Sequence, residues 1–411
     1  NFVGTTVSSS MPTYAANTNK LNSSHVSADW NVWYKSISTV NYALHYIPDV
    51  QGLTAIKKDN YLAEAYFLRA FCYFNLARIW GNVPLVEKPT LSLADVEKPT
   101  QSPQSQVLDL VGKDLEEAVK LVDEGQNDVF RFNPGALYAL YTDYAMWMRD
   151  YDKAILYSGK LMDLKRYSLL KGTEFAQVCA DGTTSENIWT MKWSYQNNKQ
   201  NWIIYMMCRT AAPQMIPSEG VKNLWNTEEY RVDLRRYQTI DTTIVYASNH
   251  ISSPNGDASI WKWQPGERVI EANEKYVPFY RYADILLLRA EALNKQQRQE
   301  EALELLNMIR ERAGLSLKTM DDFTNASDRT LAMEDAILQE RQLELLGEGR
   351  RWFDLIRTGR AMKVMNDYFE NYIEAQTGDV CPRFTDEWQL YWPVYYNNIL
   401  ENANLIQNGN Y

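Results

Sequence analysis

The sequence predicts an all-α fold made of tetratricopeptide-like helical repeats with an irregular, loop-rich capping insertion. Apolar residues recur at helical spacing in several long blocks, and two pairs of these blocks are separated by short turns. One long stretch between the two pairs loses the pattern. We expect a single domain over residues 1–411, with a helical frame at about 28–170 and 278–360, an insertion at about 172–277, and a tail at 361–411 that packs back on the frame.

The block Tyr61 to Trp80 (YLAEAYFLRAFCYFNLARIW) is apolar on almost every side. A helix with this pattern is buried by several neighbours. Gly81 and Pro84 follow it and predict its end. Arg69 lies inside this block and needs a carboxylate partner, because a buried charge is tolerated only when it is paired. We expect Glu340 or Glu344 to serve.

Paired helices are predicted at two places in the chain. Small and aromatic residues recur from Ala136 to Tyr157 around the turn sequence DYDKAI, and a second pair covers Tyr282 to Lys295 and Glu300 to Arg312. A single further helix is predicted from Gln104 to Val122. The paired blocks have the spacing of a helical repeat.

The stretch Ile337 to Gly359 (ILQERQLELLGEGRRWFDLIRTG) threads many charges through large apolar residues. Glu340, Glu344 and Glu348 lie four residues apart, so a helix would place them on one face. A metal or acid–base cluster is one interpretation. We favour a buried ionic cluster, with partners among Arg69, Arg341, Arg350 and Arg351.

The composition excludes several classes of protein. The formal charge of −10 and the pI near 5.1 disfavour a nucleic-acid partner, and no apolar run is long enough to span a membrane. The four cysteines form no CxxC pair, and the three histidines are far apart. We therefore predict no catalytic residue, no metal ligand and no cofactor. A two-carboxylate glycoside hydrolase is the enzyme alternative that the sequence leaves open.

The insertion is rich in tryptophan and tyrosine, and residues Glu186 to Trp193 alternate as a strand does. Long ordered loops on rigid scaffolds often carry function. Sugar binding requires aromatic faces beside amide groups. The stretch KWSYQNNKQNWIIY has both, so the candidate ligand contacts are Trp193, Tyr195, Asn197 and Trp202. The alternative is that the tryptophans anchor the loop to the frame.

Three further candidates lie outside that stretch. Tyr14 and Asn17 precede the first helix, and we expect their polar segment to fold over the same opening. Trp261 is separated from Trp263 by one residue, so in a strand only one of the two faces a ligand.

Several blocks together resemble the SusD/RagB family of surface nutrient-capture lipoproteins of Bacteroidetes. They occur in the family's order and span nearly the whole chain. The blocks are WNVWYKSISTVNYAL (30–44), AEAYFLRAFCYFNLARIWGNVPLV (63–86), PFYRYADILLLRAEALN (278–294), ALELLNMIRERAGL (302–315), ILQERQLELLGEGRRWFDLIRTG (337–359) and ANLIQNGNY (403–411).

The resemblance implies a non-catalytic protein on the outer-membrane surface, held by an N-terminal lipid anchor that is absent from this chain. It implies an oligosaccharide ligand and a SusC-like TonB-dependent transporter as partner, with peptide capture as the alternative. The tail departs from the family pattern with Trp392-Pro393-Val394 and with the ending Gly409-Asn410-Tyr411. The matching blocks are structural, so they carry over no ligand contact.

Overall fold

The computed structural model describes most of the chain. The described residues are 3–4, 12–193, 201, 207, 215–241, 259–260, 262–263, 276–375 and 378–411, and side chains are described for these except at 3–4, 12–14, 241 and 259. The chain divides into two compact units. Unit 1 comprises 1–18, 129–131 and 138–381, and unit 2 comprises 19–128, 132–137 and 382–411.

The described part of the chain is mainly helical, which confirms the predicted fold class. The helices are α1 (Pro12–Asn17), α2 (Asn31–Tyr46), α3 (Ala55–Trp80), α4 (Gln104–Leu121), α5 (Pro134–Trp147), α6 (Tyr151–Asp163), α7 (Gln177–Ala180), α8 (Glu219–Trp225), α9 (Arg236–Thr239), α10 (Tyr282–Lys295), α11 (Gln299–Arg312), α12 (Arg329–Glu344), α13 (Arg351–Arg357), α14 (Ala361–Tyr368) and α15 (Tyr396–Glu401).

The strands are short and pair in twos. They are β1 (Val3–Gly4), β2 (Asn187–Met191), β3 (Ile216–Pro217), β4 (Ile240–Asp241), β5 (Ser259–Ile260) and β6 (Val277–Arg281). β1 pairs with β3, β2 with β6 and β4 with β5, each antiparallel. Among the described helices, none is long and apolar enough to cross a membrane.

The two predicted helix pairs are present, and apart from the first residues of α5 they lie in unit 1. The turn DYDKAI joins α5 to α6, where Asp150 caps α6 by accepting a hydrogen bond from the Lys153 N–H at 3.0 Å. The second pair is α10 and α11, and α10 packs against α6, α11 and α12. This packing is consistent with tetratricopeptide-like repeats.

Unit 2 is formed by α2, α3, α4 and the end of the chain. α3 begins six residues before the predicted start and buries Phe67, Tyr73, Phe74 and Trp80. It ends at Gly81, whose φ of 74° is a conformation that glycine adopts without strain.

Arg69 of α3 does not pair with Glu340 or Glu344, so that expectation was wrong. Its partner is Asp114 of α4, which accepts hydrogen bonds from Nε and Nη2 of Arg69 at 2.8 Å each. The apolar pattern of α3 showed that Arg69 is buried, but α4 is the helix that packs beside it. Asp114 is itself buried, as a partner of a buried arginine must be.

The tail predicted at 361–411 has two parts. Its beginning forms α14 and a π-helical turn at Phe369–Glu374, both in unit 1. Residues 382–411 belong to unit 2, where the Trp80 indole donates to the Pro393 carbonyl at 3.1 Å and the Asn408 amide donates to the Trp80 carbonyl at 2.8 Å. Aromatic and asparagine side chains thus fasten this segment to α3.

Candidate functional site

The insertion is attached to the frame by a buried cluster of charges that we call the ionic corner. Glu340 and Glu344 come from the last turns of α12, and Glu348 comes from the turn that follows. The helix ends at Glu344, so the three glutamates do not share one helical face, yet all three enter the cluster. Among the described residues, the corner contains five carboxylates and five cations: Glu186, Asp233, Glu340, Glu344, Glu348, Arg235, Lys262, Arg281, Arg310 and Arg312.

Glu344 is the centre of the corner. One carboxylate oxygen accepts from Arg281 and Arg312 at 2.5 Å each, and the other accepts from Arg235 at 3.0 Å. The favoured interpretation of a buried ionic cluster is confirmed, but the predicted partners were wrong. Arg341 and Arg350 pair with aspartates instead, and the Arg351 side chain donates to the Leu338 carbonyl. The partners of the glutamates come from segments far away in sequence.

The corner keeps two of its carboxylates, Glu344 and Glu348, ionised. Burial alone would raise the pKa of Glu344, but the charges of Arg312, Arg281 and Arg235 outweigh it and hold the pKa well below its ordinary value. The pKa of Glu348 is lowered in the same way, against burial, by Arg281 and Lys262. A carboxylate with a depressed pKa surrounded by guanidinium groups is a poor general acid or base at neutral pH. The corner therefore has a structural role.

Four segments of the insertion or its borders meet at the corner. Arg235 follows α8, Lys262 follows β5, Glu186 precedes β2, and Arg281 ends β6. Lys262 donates to Glu348 and, at 2.9 Å, to the Glu344 carbonyl. The corner therefore fixes where the β2–β6 ribbon begins.

A glycine allows the neighbouring aromatic residue to approach the corner. Gly347 lies in the turn after α12 with a φ of 81°, and a Cβ at this position would lie 2.8 Å from the ring of Trp263. Trp263 is fully buried. A larger residue at 347 would displace Trp263, which lies next to Lys262 in the chain.

The β2–β6 ribbon leads from the corner to an exposed end. Asn187 is opposite Arg281 at the corner, and Met191 is opposite Val277 at the far end. In between, Trp189 packs against Phe279 with ring centroids 4.7 Å apart. The ribbon is thus held by ion pairs at one end, and its other end is exposed at Met191.

Aromatic and cationic side chains gather at the far end of the ribbon. This ribbon-end surface consists of Phe130, Met191, Lys192, Trp193 and Tyr276. The Lys192 ammonium lies 5.5 Å from the centre of the Phe130 ring, and Phe130 lies 5.4 Å from Tyr276. The Thr190 N–H donates to the Val129 carbonyl at 2.9 Å, which holds the 129–131 segment beside β2.

Trp193 is half-buried, and its indole N–H is enclosed without a hydrogen-bond partner among the described residues. A buried donor of this kind gains free energy from any acceptor that reaches it. Met191 is 38% exposed, and Phe130 and Tyr276 are half-buried. The surface therefore offers apolar faces together with the exposed Lys192 side chain.

Of the seven predicted ligand contacts, the structure describes the side chains of Trp193 and Asn17. Asn17 is the half-buried last residue of α1. Tyr14 lies in the same helix, but its side chain is outside the described residues, as are Tyr195, Asn197, Trp202 and Trp261. The N-terminal segment reaches the insertion, since Val3–Gly4 pairs with Ile216–Pro217. All seven contacts, Trp193 included, stay predictions.

Sequence reasoning missed Phe130 and Tyr276, and it included Lys192 in the candidate stretch without naming it as a contact. Lys192 and Tyr276 directly adjoin the two strands, so a correct pairing of β2 with β6 would have found them. Phe130 is separated from Trp193 by more than sixty positions, and no local pattern connects them. In the described ranges, no group of three His, Cys, Asp or Glu side chains is arranged to hold a metal ion.

These features define a helical-repeat protein whose loop-rich insertion is anchored by buried charges. The chain belongs to the SusD family, whose profile matches residues 189–411. A second profile of the same group, described as "Starch-binding associating with outer membrane", matches residues 3–142. The predicted SusD/RagB membership is thereby confirmed.

Individual relatives agree with this assignment. A SusD-like protein of Formosa agariphila is 29% identical over 419 aligned residues, which cover 93% of this chain and 79% of the relative. A solved SusD superfamily structure from Bacteroides vulgatus superposes with a TM-score of 0.81 at 17% identity, covering 100% of this chain and 92% of the other. A structure described as a laminarin-binding SusD-like protein gives a TM-score of 0.77 at 21% identity, with coverages of 100% and 91%. The structural matches establish the shared fold.

Proposed function

We propose that the protein captures an extracellular oligosaccharide or polysaccharide at the cell surface without cleaving it and delivers it to a TonB-dependent outer-membrane transporter. The observation that carries this proposal is the ribbon-end surface. It places three aromatic rings, a lysine and an unpaired indole N–H at the tip of a rigidly anchored ribbon.

This chemistry suits a sugar ring. The two faces of a pyranose carry C–H groups that pack on aromatic rings, and its edge carries hydroxyls that require hydrogen-bond partners. Tyr276 and Trp193 supply ring faces, and the Lys192 ammonium supplies a hydrogen-bond donor. The predicted amides of the following stretch, Asn197 among them, would add acceptors. The anchored ribbon lowers the entropic cost of binding, since little of it must be ordered.

The comparisons support the same ligand class. The second matching profile is described as starch-binding, and one structural neighbour binds laminarin. Laminarin and starch are therefore the first ligands to test. Peptide capture by the same fold is the alternative, and a glycoside hydrolase is the less favoured one.

The test is a binding panel of glycans and peptides with the purified chain, followed by mass spectrometry of the recovered ligand. We expect saturable binding to one glycan class and intact sugar after prolonged incubation. Trp193→Ala should weaken binding by about tenfold, which corresponds to about 1.4 kcal/mol and is typical of one aromatic contact in a ligand interface. Lys192→Met, which keeps the aliphatic stem, should weaken binding less.

Tyr237→Ala is the matched control for these variants. Tyr237 is an aromatic residue of unit 1, is 69% exposed and lies outside the ribbon-end surface. Its loss should leave the affinity unchanged. Binding of peptides alone would favour the alternative, and cleaved sugar would contradict the non-catalytic role. Equal affinities of Trp193→Ala and the unaltered chain would remove the ribbon-end surface from the site.

The proposed partner is a SusC-like transporter, with the protein held at the outer membrane by an N-terminal lipid anchor. Unit 2 carries a group of exposed apolar side chains that suits such a partner: Tyr46, Val50, Ile56, Leu91, Leu93 and Val96. Their segments are neighbours, because the Tyr42 hydroxyl donates to the Thr90 carbonyl and the Lys58 ammonium donates to the Pro48 carbonyl at 2.6 Å. Groups of exposed apolar side chains commonly mark interfaces.

Co-purification with the transporter tests this partner. Leu93 is 93% exposed, so Leu93→Asp should leave folding intact and reduce the recovered complex. Leu400→Asp is the control, since Leu400 is an exposed leucine of unit 2 outside the group. Equal recovery for both variants would assign the transporter to another surface.

A further inference from the structure

A small polar pocket lies in unit 1 and shares no residue with the ribbon-end surface. Its volume is about 200 Å³, and its polar lining is Arg149, Tyr151, Glu291, Lys295, Glu334 and Arg357. Arg149 and Tyr151 flank the turn between α5 and α6, Lys295 and Arg357 end α10 and α13, and Glu334 lies on α12. The pocket thus forms where a repeat turn meets the ends of two other helices.

The acidic groups of the pocket are already paired. Both Glu291 oxygens accept from the Arg357 guanidinium, whose Nη2 also donates to Asp354 at 2.7 Å. Glu334 accepts from Lys295 at 2.6 Å and from Arg360 at 2.8 Å. These pairs balance the negative charge of both glutamates with cations of the protein.

Three donors of the pocket are left with unused capacity. Within the described part of the chain, the only hydrogen bond of the Arg149 guanidinium is a long one, 3.5 Å from Nη2 to the Arg357 carbonyl. The Tyr151 hydroxyl has no hydrogen-bond partner among the described residues, and burial raises its pKa, so it keeps its proton. The Lys295 ammonium uses one of its three N–H groups on Glu334.

The charges of the described lining leave one cation in excess. Arg357 is balanced by Glu291 and Lys295 by Glu334, whereas Arg149 faces no carboxylate within ion-pair distance among the described residues. The neighbouring Asp150 and Asp152 are not part of the lining. The Asp150 carboxylate accepts a hydrogen bond from the backbone N–H of Lys153, and the Asp152 carboxylate accepts one from the side-chain amide of Gln296 at 2.9 Å.

Arg149 is also held in an unusual backbone conformation. Its φ of 58° is in the left-handed region, which non-glycine residues seldom adopt. This conformation is common just after a helix end, and here the Asp150 N–H closes the end of α5 by donating to the Ala145 carbonyl at 2.9 Å. Here the conformation belongs to the turn that carries Arg149 and Tyr151 into the same pocket.

We propose that this pocket binds a small hydroxylated monocarboxylate no larger than one uronic acid residue. The carboxylate pairs with Arg149, and the hydroxyl oxygens accept from Tyr151 and Lys295. The pocket volume equals that of about seven water molecules in the liquid, which admits one such molecule and excludes a chain of sugars. An arginine fork suits a carboxylate because it can donate two parallel hydrogen bonds.

The experiment measures D-glucuronate binding to the full chain by titration calorimetry, with D-glucose as the uncharged probe of similar size. We expect saturable binding of glucuronate and none of glucose. Arg149→Gln keeps an extended polar side chain but removes the charge, and it should weaken glucuronate binding at least about tenfold. Tyr151→Phe removes only the hydroxyl and should weaken binding several-fold.

Two controls separate this pocket from the rest of the molecule. Arg231→Gln removes a positive charge from an exposed arginine outside the pocket and should leave binding unchanged. Trp193→Ala should also leave it unchanged. Equal affinities of Arg149→Gln and Arg231→Gln, equal binding of glucose, or no binding of glucuronate would each overturn the proposal. Loss of glucuronate binding in Trp193→Ala would assign the anion to the ribbon-end surface and would also overturn it.

Discussion

Buried arginines are accommodated in two different ways in the two units. In unit 2, Arg69 forms a bidentate pair with Asp114 alone and donates its remaining hydrogen bonds to neutral oxygens of Asn41 and Glu87. In unit 1, Arg281 is shared by Glu186, Glu344 and Glu348, and each of these glutamates binds a second cation. The first arrangement is a pair, and the second is a network.

The pKa values of Asp114 and Glu344, two buried carboxylates, are shifted in opposite directions. Burial raises the pKa of Asp114 above its ordinary value even though Arg69 opposes the shift. At Glu344, burial acts in the same sense, but three arginines reverse it and lower the pKa. A single guanidinium does not compensate for the desolvation of this carboxylate, whereas several do. A pair can therefore be exchanged for apolar residues, but a network cannot be dismantled one member at a time.

The largest effect is expected for Glu344→Gln. The substitution keeps the size of the side chain but removes the negative charge that Arg235, Arg281 and Arg312 share. We expect the free energy of unfolding of unit 1 to fall by about 3–5 kcal/mol, the usual result of leaving a buried charge without its partner. Urea denaturation followed by hydrogen exchange of α12 and α10 peptides measures it, because the units need not unfold together.

Glu304→Gln is the control for this substitution. Glu304 is exposed on α11, so the same chemical change there should alter stability by less than about 0.5 kcal/mol. Similar losses for both variants would show that the corner behaves as a solvated surface.

The next effect concerns the Arg69–Asp114 pair. Asp114→Leu alone leaves Arg69 buried without a carboxylate and should destabilise unit 2 by about 3 kcal/mol. Adding Arg69→Met should recover most of this loss, since apolar replacements of a buried pair are often neutral or stabilising. Hydrogen exchange of α3 peptides in the two single variants and the double variant gives the coupling energy between Arg69 and Asp114.

The corresponding double substitution at the ionic corner tests the same distinction between a pair and a network. Replacing Glu344 by Leu and Arg281 by Met together still leaves Arg235 and Arg312 without Glu344, and Glu186 and Glu348 without Arg281. The double variant should be no more stable than Glu344→Leu. Recovery at the corner equal to that at Arg69 would contradict the distinction between pair and network.

The fold was predictable because its signals are local. Helical periodicity located α3, α4, the α5–α6 pair and the α10–α11 pair with errors of a few residues at most ends. The turn DYDKAI contains its own capping residue, Asp150. The apolar pattern around a charged residue shows that the residue is buried, but it does not identify the residue that pairs with it. Sequence therefore predicted a paired Arg69 and paired glutamates but named the wrong partners.

The candidate site was less predictable for the same physical reason. Trp193 was predicted as a ligand contact because its aromatic and amide neighbours are adjacent in sequence. Phe130 is brought to the ribbon-end surface only by tertiary contacts. These are the hydrogen bond from the Thr190 N–H to the Val129 carbonyl and the packing of Phe130 on Tyr276. The excess charge of Arg149 is equally invisible, because it depends on which carboxylates Lys295 and Arg357 engage.

Lowering the pH should affect the ionic corner and the Arg69–Asp114 pair in opposite directions, because the pKa shifts of their carboxylates have opposite signs. Glu344 and Glu348 have folded-state pKa values below their unfolded values. Their contribution to stability is complete above about pH 4.5 and is lost as the pH falls through the folded-state values. Asp114 has a folded-state pKa above the unfolded value, so its contribution is complete at low pH and is lost as the pH rises through that value.

The smallest expected effect is therefore a difference between the two units in how steeply the free energy of unfolding changes with pH. Between about pH 5 and pH 3, exchange protection of α12 should decrease as the carboxylates take up protons on unfolding, and Glu348→Gln should flatten that decrease because one depressed carboxyl is gone. Asp114→Asn should not flatten the response of α3, since Asp114 favours the folded state in acid. Each slope is obtained from stability measured by hydrogen exchange over this pH range at constant ionic strength. A flattened α3 slope in Asp114→Asn would mean that one arginine is enough to depress a buried carboxylate in this fold, and the two units would then differ only in the number of their ion pairs.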